Sequence, residues 1–459
     1  NNITINGRPS DYLPGFDISQ TLSGHGVQVA AVDGENLDAL YRRMCEAVTT
    51  DGPFALVAKR TMAPGVPDVE GTSKAHDVVP LETAVRWLRG RSHEAAATML
   101  ETTPKAPTDR PDRPYRGSDW ARGGSNRKVW GEAVVEVLNE IDPSVRKRIV
   151  RAIDSDLAGS CGVSKIAEVH PEVVQFGGVM ERANFSAAAG FGCKLSDSDD
   201  TMKPDDPPRQ GIFATFSAFL EMIISEITMA RLNRASVMSH LSHAGIDDMA
   251  DNTCHFGLNN FFADNGLDRN SGPDVTRLYF PAEPAQMRAV TKRVFFDPGL
   301  RFLFSTRSKV PALLDASGAP IYDRPDYVFE PDRDEVIREG SDGTIVAFGE
   351  MLYRALDAVE QLRDEGLQVG LVNKVTLNVP DDAMLERVGR GGFVLVAEAF
   401  NRTTGLGSRY GTWLLERGYA PRFGRLGTHK EGVGGLWEHY YHQSIDADSI
   451  VQKVRLLAT

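Results

Sequence analysis

Three histidines and three aspartates fall within sixteen positions of SHLSHAGIDDMADNTCHFG (239–257): His240, His243, Asp247, Asp248, Asp251 and His255. Imidazoles and carboxylates at this density hydrogen-bond a hydroxylated substrate or ligate a metal ion. The metal reading is the weaker, because no HxH or HxxxH sets two imidazoles on one element. The group follows the apolar run ASVM, read as a strand. It therefore lies outside the carboxyl end of a strand, where α/β proteins hold their ligands. The same residues also suit a solvated loop with capping aspartates, and composition leaves both readings open.

Two further stretches carry chemistry. In GGVMERANFSAAAGFGC (177–193), Glu181 follows a strand end and precedes a small, apolar helix start. Burial there would raise its pKa and make it a candidate acid or base. An acid at a helix start equally complements the dipole. In FATFSAFLEMI, Phe213, Phe216 and Phe219 recur every third residue. Such a stripe packs a core or stacks on a flat heteroaromatic ring. Arg127 and Arg307, from sequence alone, read as surface ion pairs.

The elements that must position these residues are those of an α/β protein. The chain has 459 residues, 41% of them apolar and 25% charged, the composition of an ordinary globular protein. That length gives room for about three domains of ~150 residues. No run of ~18 uncharged apolar residues predicts a membrane span. The net charge of −12 argues against nucleic acid or an anionic membrane as a partner for the whole surface. Cys45, Cys161, Cys193 and Cys254 are scattered and form no CxxC, so reduced thiols in the cytoplasm are expected.

Three blocks follow. Residues 1–98 contain a strand (27–32), a helix (34–50) and a strand (54–60), a βαβ unit of a parallel sheet. At the start, Ile3 and Ile5 alternate with polar residues before Asn6-Gly7, which reads as a strand end and a turn. Residues 99–125 hold Pro104, Pro107, Pro111 and Pro114 and read as an extended linker. Residues 126–310 mix helical patterns, FSAFLEMIISEITMARLN among them, with apolar strands. Residues 311–335 hold Pro311, Pro320, Pro325 and Pro331, a second linker. Residues 336–459 restart with TIVAFG, an amphipathic helix, QVGLVN and FVLVAEAF. The predicted fold class is α/β, with three consecutive domains on parallel or mixed sheets.

Read in order, these stretches resemble one family, the transketolases. GGVMERANFSAAAG is similar to that family's GVRExxMxAIxNG, and TFSAFLEM to its TFxxFxEY. SHAGIDDMADNTCH matches THDSIGxGxDGPTH in length. SNRKVWGEAV resembles the ASRKAS helix, DSDLAGS resembles SADLxPS, FLFSTRSKV resembles LxLSRQxL, and GTSKAHD resembles GTHxxHG. Together the pieces cover nearly the whole chain at compatible spacing. NNITING is similar to the end of the diphosphate motif, DDNxISIDG, whose GDG start is absent from these 459 residues. The resemblance thus implies a chain lacking the first part of its diphosphate-binding domain, as a separate subunit or a removed fragment.

The resemblance implies a thiamine diphosphate-binding fold followed by a C-terminal transketolase domain, with thiamine diphosphate and Mg²⁺ as cofactors. By it, Glu181 hydrogen-bonds N1′ of the aminopyrimidine, and Phe219 with Phe216 stacks on that ring. Asp156 contacts the cofactor and His76 lies near its diphosphate. Asn1 and the Ile3 carbonyl take the Mg²⁺, a hard ion that wants oxygen ligands. Arg127, Ser160, Arg307 and His243 contact a sugar phosphate, Asp251 reads a sugar hydroxyl, and His255 sits over the thiazolium. Glu181, His243 and His255 are the catalytic groups implied. Departures are Met222 in place of a Tyr, DNTCH in place of DGPTH, and Ser73 in place of the first His of GTHxxH. These leave the reaction class standing and the donor and acceptor open. The implied reaction moves a two-carbon ketol unit from a ketose phosphate to an aldose phosphate. An E1-type 2-oxo acid dehydrogenase component, or the second half of a split transketolase-like enzyme with another substrate, is the alternative. A non-catalytic subunit is disfavoured by the joint presence of Glu181, His243, Asp251 and His255. The implied assembly is a homodimer, or a pairing with a chain that carries GDG.

Overall fold

The structure, a computed structural model, describes residues 3–76, 78–103, 115–193, 206–246, 276–430 and 438–459. It divides into two compact units: Asn1–Thr108 with Phe176–Val179, and Asp109–Gln175 with Met180–Thr459. Among the described residues no helix is long and apolar enough to cross a membrane.

The first unit is built on strands β1 (Gln28–Asp33) and β2 (Phe54–Lys59), paired in parallel from Gln28↔Phe54 to Asp33↔Lys59. Parallel neighbours need a crossover, and the helix Leu37–Thr49 supplies it. It begins at Leu37 because the Asn36 side chain accepts the Ala39 N–H at 3.0 Å and caps it. The expected βαβ unit is thus present. The strand end expected at Ile3–Ile5 is not. Thr4 and Gly7 instead exchange backbone hydrogen bonds of 2.7 and 3.2 Å, closing a tight turn over Ile5 and Asn6. Gly7, at φ +125°, takes the backbone conformation that a side chain would oppose. The crossover helix leaves Leu37, Tyr41, Met44 and Val48, at helical spacing, between 53% and 86% exposed.

The second unit carries strands β3 (Ser118–Gly124), β4 (Val150–Asp154), β5 (Val174–Phe176), β6 (Gln210–Phe216), β7 (Val237–Ser242), β8 (Arg277–Tyr279), β9 (Leu300–Phe304) and β10 (Val310–Leu313). The C-terminal region adds β11 (Glu335–Arg338), β12 (Gly343–Ala347), β13 (Val369–Asn373), β14 (Phe393–Asn401) and β15 (Arg422–Thr428). One six-stranded sheet runs β5-β4-β6-β7-β9-β8, and its pairings from β4 to β8 are parallel. Every residue of β6 and β7 is buried, as the central strands of a sheet covered on both faces must be. A five-stranded sheet runs β11-β13-β12-β14-β15, with only β11 antiparallel to its neighbour.

Proline misled the reading of both linkers. β3 and β10 pair antiparallel, so each stretch read as linker contributes to a strand. Pro311 lies within β10 where the register shifts between Val310 and Ala312. A bulge is the place where a residue without an N–H costs the ladder nothing. The helix Glu94–Thr102 likewise runs into the first stretch. A second correction concerns FSAFLEMIISEITMARLN. Its first half, Ser217–Ile223, is a 3₁₀ segment and only Ile224–Leu232 is α-helical. Phe213 and Phe216 lie on β6, so the three phenylalanines form no helical stripe.

The two sheets share one core. Phe280 and Phe304 pack with Phe348 and Phe400 across the two sheets, ring centroids 5.7 to 5.9 Å apart. Just past β13, Lys374 Nζ donates to Asp334 Oδ1 and to the Val379 carbonyl, both at 2.6 Å, and neither charged side chain is exposed. Losing one member strands the other charge in the interior. Lys374→Met should therefore lower the unfolding free energy by ~3–5 kcal/mol in urea titrations. Arg390→Met, at the exposed pair with Glu386, should leave it unchanged. Equal effects would mean the interior pair is not closed.

Candidate functional site at the carboxyl edge of the six-stranded sheet

Strand register sets this site. Asp154↔Ala214, Phe216↔Ser242 and Leu241↔Phe304 align the ends of β4, β6, β7 and β9. The loops that begin at Ser155, Ser217, His243 and Ser305 therefore leave one edge. They carry Asp156 and Ser160, Phe219, His243, and Arg307 respectively. Glu181 is the first residue of the helix Glu181–Gly192 and is buried. One turn on, Asn184 Nδ2 donates to Ser155 Oγ at 3.1 Å and to the Asp154 carbonyl at 3.5 Å. That ties the helix start to the end of β4.

Aromatic rings line the same edge. The His243 ring lies 3.9 Å from Phe216, and Phe216 lies 5.8 Å from half-buried Phe219. Arg127, from the helix Asn126–Asn139, donates through Nη1 to the Ser160 carbonyl at 2.9 Å. Asp156 and His243 adopt φ of +67° and +58°. Non-glycine residues held there store strain, as functional loops often do.

Beneath these groups lies a buried polar network. On β7, His240 Nδ1 is 2.8 Å from the Cys161 carbonyl and Nε2 is 2.9 Å from Ser305 Oγ. Trp130 stacks on the ring at 4.4 Å. Burial depresses the His240 pKa to about 3, so the imidazole is neutral. Burial pushes the Cys161 thiol up to about 12, which makes it a neutral partner and not a nucleophile. Ser242 Oγ bridges Cys161 Sγ at 3.2 Å and His243 Nδ1 at 2.9 Å. So His240, read from the sequence with the ligand cluster, serves the interior instead. Trp130, Cys161, Ser242, Ser305 and Asn184 have no spacing signal that would have singled them out.

The remaining expected residues fall into two groups. Ile3 and exposed His76, which ends the 3₁₀ turn Ser73–His76, lie in the first unit. Asn1, Asp251 and His255 lie outside the described residues, with Asp247 and Asp248. Among the described residues no group of three or more His, Cys, Asp or Glu side chains could hold a metal ion.

Known proteins resemble this chain in sequence and fold. The family profile described as "Transketolase, C-terminal domain" matches residues 333–432. 1-Deoxy-D-xylulose-5-phosphate synthase of Synechococcus sp. (strain RCC307) is 24% identical over 364 residues, 78% of this chain and 48% of that protein. One of the subunits of apulose-4-phosphate transketolase from Actinobacillus succinogenes is 30% identical over 179 residues, 38% of this chain and 55% of that protein. A solved split gene transketolase, described as an inactive beta4 tetramer, superposes with TM-score 0.56 at 26% identity, over 73% of this chain and 98% of that one. These matches support a member of the transketolase family, with that family's C-terminal domain at residues 333–432. Transketolase from Campylobacter jejuni shares the fold at TM-score 0.54 and 16% identity, over 99% of this chain and 71% of that one. The chain spans about half the length of the first two relatives.

In this transketolase-like chain, His240 gives a pH signature. Its folded pKa of about 3 lies below the ordinary ~6.5. As pH falls below ~6.5 the unfolded chain takes up a proton that the folded chain refuses. Stability is then lost at about 1.4 kcal/mol per pH unit. Glu283 and Glu398, pushed by burial to about 8 and about 7, act in the opposite direction. The measurement is therefore the difference between wild type and His240→Asn in urea unfolding at pH 7.5 and pH 5. The gap should narrow as pH falls. A pH-independent gap would show that His240 is not held neutral.

Proposed function

We propose that this chain forms the pyrimidine-binding and phosphate-gripping side of a transketolase-type active site. The reaction is transfer of a two-carbon ketol unit from a ketose phosphate to an aldose phosphate. The observation that carries this reading is the buried Glu181 carboxyl on the sheet edge that also bears Phe216, Phe219 and His243. A flat ring with an edge nitrogen needs those two things: an aromatic surface, and one carboxyl shielded from water. The residues present therefore fit an aminopyrimidine. Thiamine diphosphate, when bound, supplies the reactive carbon of its thiazolium ring.

The chain's own residues then divide the work. Glu181 would hold and share a proton at N1′. Phe219, backed by Phe216, would stack on the ring, and Asp156 would contact the cofactor. His76 would approach the diphosphate. Ile3 offers one carbonyl, and Asn1 would add a side-chain oxygen. That is too little for the octahedral oxygen shell of Mg²⁺, and the acid of a GDG motif would have to join them. Arg127, Ser160, Arg307 and His243 would grip the substrate phosphate, for which a planar guanidinium is suited. Asp251 would read a hydroxyl, and His255 would lie over the thiazolium.

The proposed partner is a chain or segment that carries GDG, within a dimer of complete sites. The apolar stripe Leu37, Tyr41, Met44 and Val48 supports this, being a helix face that an added α/β layer would cover. One relative is named as a transketolase subunit and one solved relative as a split gene product, which fits the same reading. Among the described residues Cys45, Cys161 and Cys193 are free thiols, which supports a reducing, cytoplasmic setting.

Two measurements test the proposal. Glu181→Ala, in the assembled enzyme, should slow hydrogen–deuterium exchange at C2 of bound thiamine diphosphate by ~10²–10⁴-fold. Exchange at the wild-type rate would remove Glu181 from the chemistry. Arg307→Ala should lower kcat/KM for a phosphorylated ketose by about 10- to 100-fold. Its effect on the unphosphorylated analogue should be small. Equal losses on both substrates would end the phosphate assignment.

A further inference from the structure

The second sheet reaches into the site through one carboxylate. Its strand order places β13 on one side of β12 and β14 on the other. The chain passes from β12 to β13 and then crosses back to β14. The carboxyl ends of β12 and β14 therefore flank the crevice where open α/β sheets bind their ligands. Here that crevice receives the loop that leaves His243. A Cβ on Gly245 would meet Glu350 Oε1 at 2.2 Å and Ala399 Cβ at 3.1 Å, and Gly245 has φ +76°. The Ile246 N–H donates to Glu350 Oε1 at 3.1 Å. The Ile246 side chain is buried in the second sheet's core. On its other side, Ala244 N–H donates to the Ser305 carbonyl at 2.9 Å.

Glu350 is built to hold this loop. It is 3% exposed and lies just past β12. Its other oxygen, Oε2, accepts the Tyr440 hydroxyl. Arg354 donates to the Glu350 carbonyl at 2.9 Å, and its guanidinium lies 3.4 Å over the Tyr440 ring. Two donors thus arrive from different elements on one carboxylate whose backbone is itself fixed. Further along the chain Asn378 acts alike: its Nδ2 donates to the Thr276 carbonyl, and its Oδ1 accepts the Leu278 N–H, both at 3.0 Å.

We infer that Glu350 is a positioning residue of the site, fixing His243 through the strained segment 243–246. It acts on His243 through that segment. The inference rests on the proposed substrate role of His243 for its effect on activity. It rests on the hydrogen bonds alone for its effect on His243 itself.

The test separates the two. In the assembled enzyme with ¹³C-labelled histidine, Glu350→Ala should shift the His243 ring resonances, identified by comparison with His243→Asn. It should also lower kcat/KM by about 10- to 100-fold. Glu350→Gln, whose amide oxygen can still accept the Ile246 N–H, should restore both to within about twofold. Lys374→Met, which weakens the same region without touching the loop, should leave the His243 resonances in place. If Glu350→Ala does not fold, Gly245→Ala serves, since its methyl presses on the same carboxylate and should move the same resonances. Unmoved His243 resonances in a folded Glu350→Ala or Gly245→Ala protein overturn the inference. Should the wild-type enzyme show no ketol transfer, the proposed function fails, and the resonances alone decide the role of Glu350.

Discussion

A neutral imidazole at the middle of the six-stranded sheet holds three elements in register. The Cys161 carbonyl can only accept, so His240 Nδ1 carries the hydrogen and Nε2 accepts from the Ser305 hydroxyl. One ring thus ties β7 to the loop after β4 and to the loop after β9. Its face is covered by Trp130, from the helix that also carries Arg127. Those loops bear Ser160 and Arg307, β7 ends at Ser242, and the loop after it begins at His243. Parallel strands alone bring chain ends to one edge. The hydrogen bonds of a buried side chain set how the loops leave it, and an unmet bond there would cost more than an exposed one gains.

The polar interior extends this logic to the C-terminal sheet. Phe280, Phe304, Phe348 and Phe400 make the two sheets one packed body. Apolar packing of that kind is strong and directionless. Direction comes from buried polar contacts between the sheets, among them Glu350 to Ile246 and Asn378 to Thr276 and Leu278. A buried carboxylate that accepts from two sources is costly to misplace. The second sheet therefore holds the loop that leaves His243 through hydrogen bonds to its backbone.

Much of this was legible in the sequence, and the failures have physical causes. Apolar runs such as FVLVAEAF and QVGLVN marked central parallel strands, because such strands are buried on both faces. The Glu181 helix start was legible from the small residues after it. On β7, Ser239, His240 and Ser242 look like loop residues and were not legible as interior. They are buried, with His240 and Ser242 hydrogen-bonded, and no periodicity distinguishes that case from a solvated turn. Pro311 was read as linker because a proline excludes a regular ladder but not a bulge. The phenylalanine spacing suggested a helix face, yet a strand followed by a 3₁₀ segment gives the same spacing with different directions. The roles of Cys161 and Ser305 depend on strands distant in sequence, so no local pattern could reveal them.

The two units differ in how far their own residues account for their shape. In the second, β6 and β7 are buried from end to end. In the first, neither β1 nor β2 has a buried residue, and the crossover helix between them has none. Burial returns ~25 cal/mol for each Å² of apolar surface removed from water, while ordering each residue costs roughly 1–2 kcal/mol. A two-stranded parallel sheet with an open helix stripe recovers little of that cost. Its apolar surface would return the most on covering at Leu37, Tyr41, Met44 and Val48. Under the proposed assembly, the surface that recruits a partner and the surface that completes the first unit's core are the same.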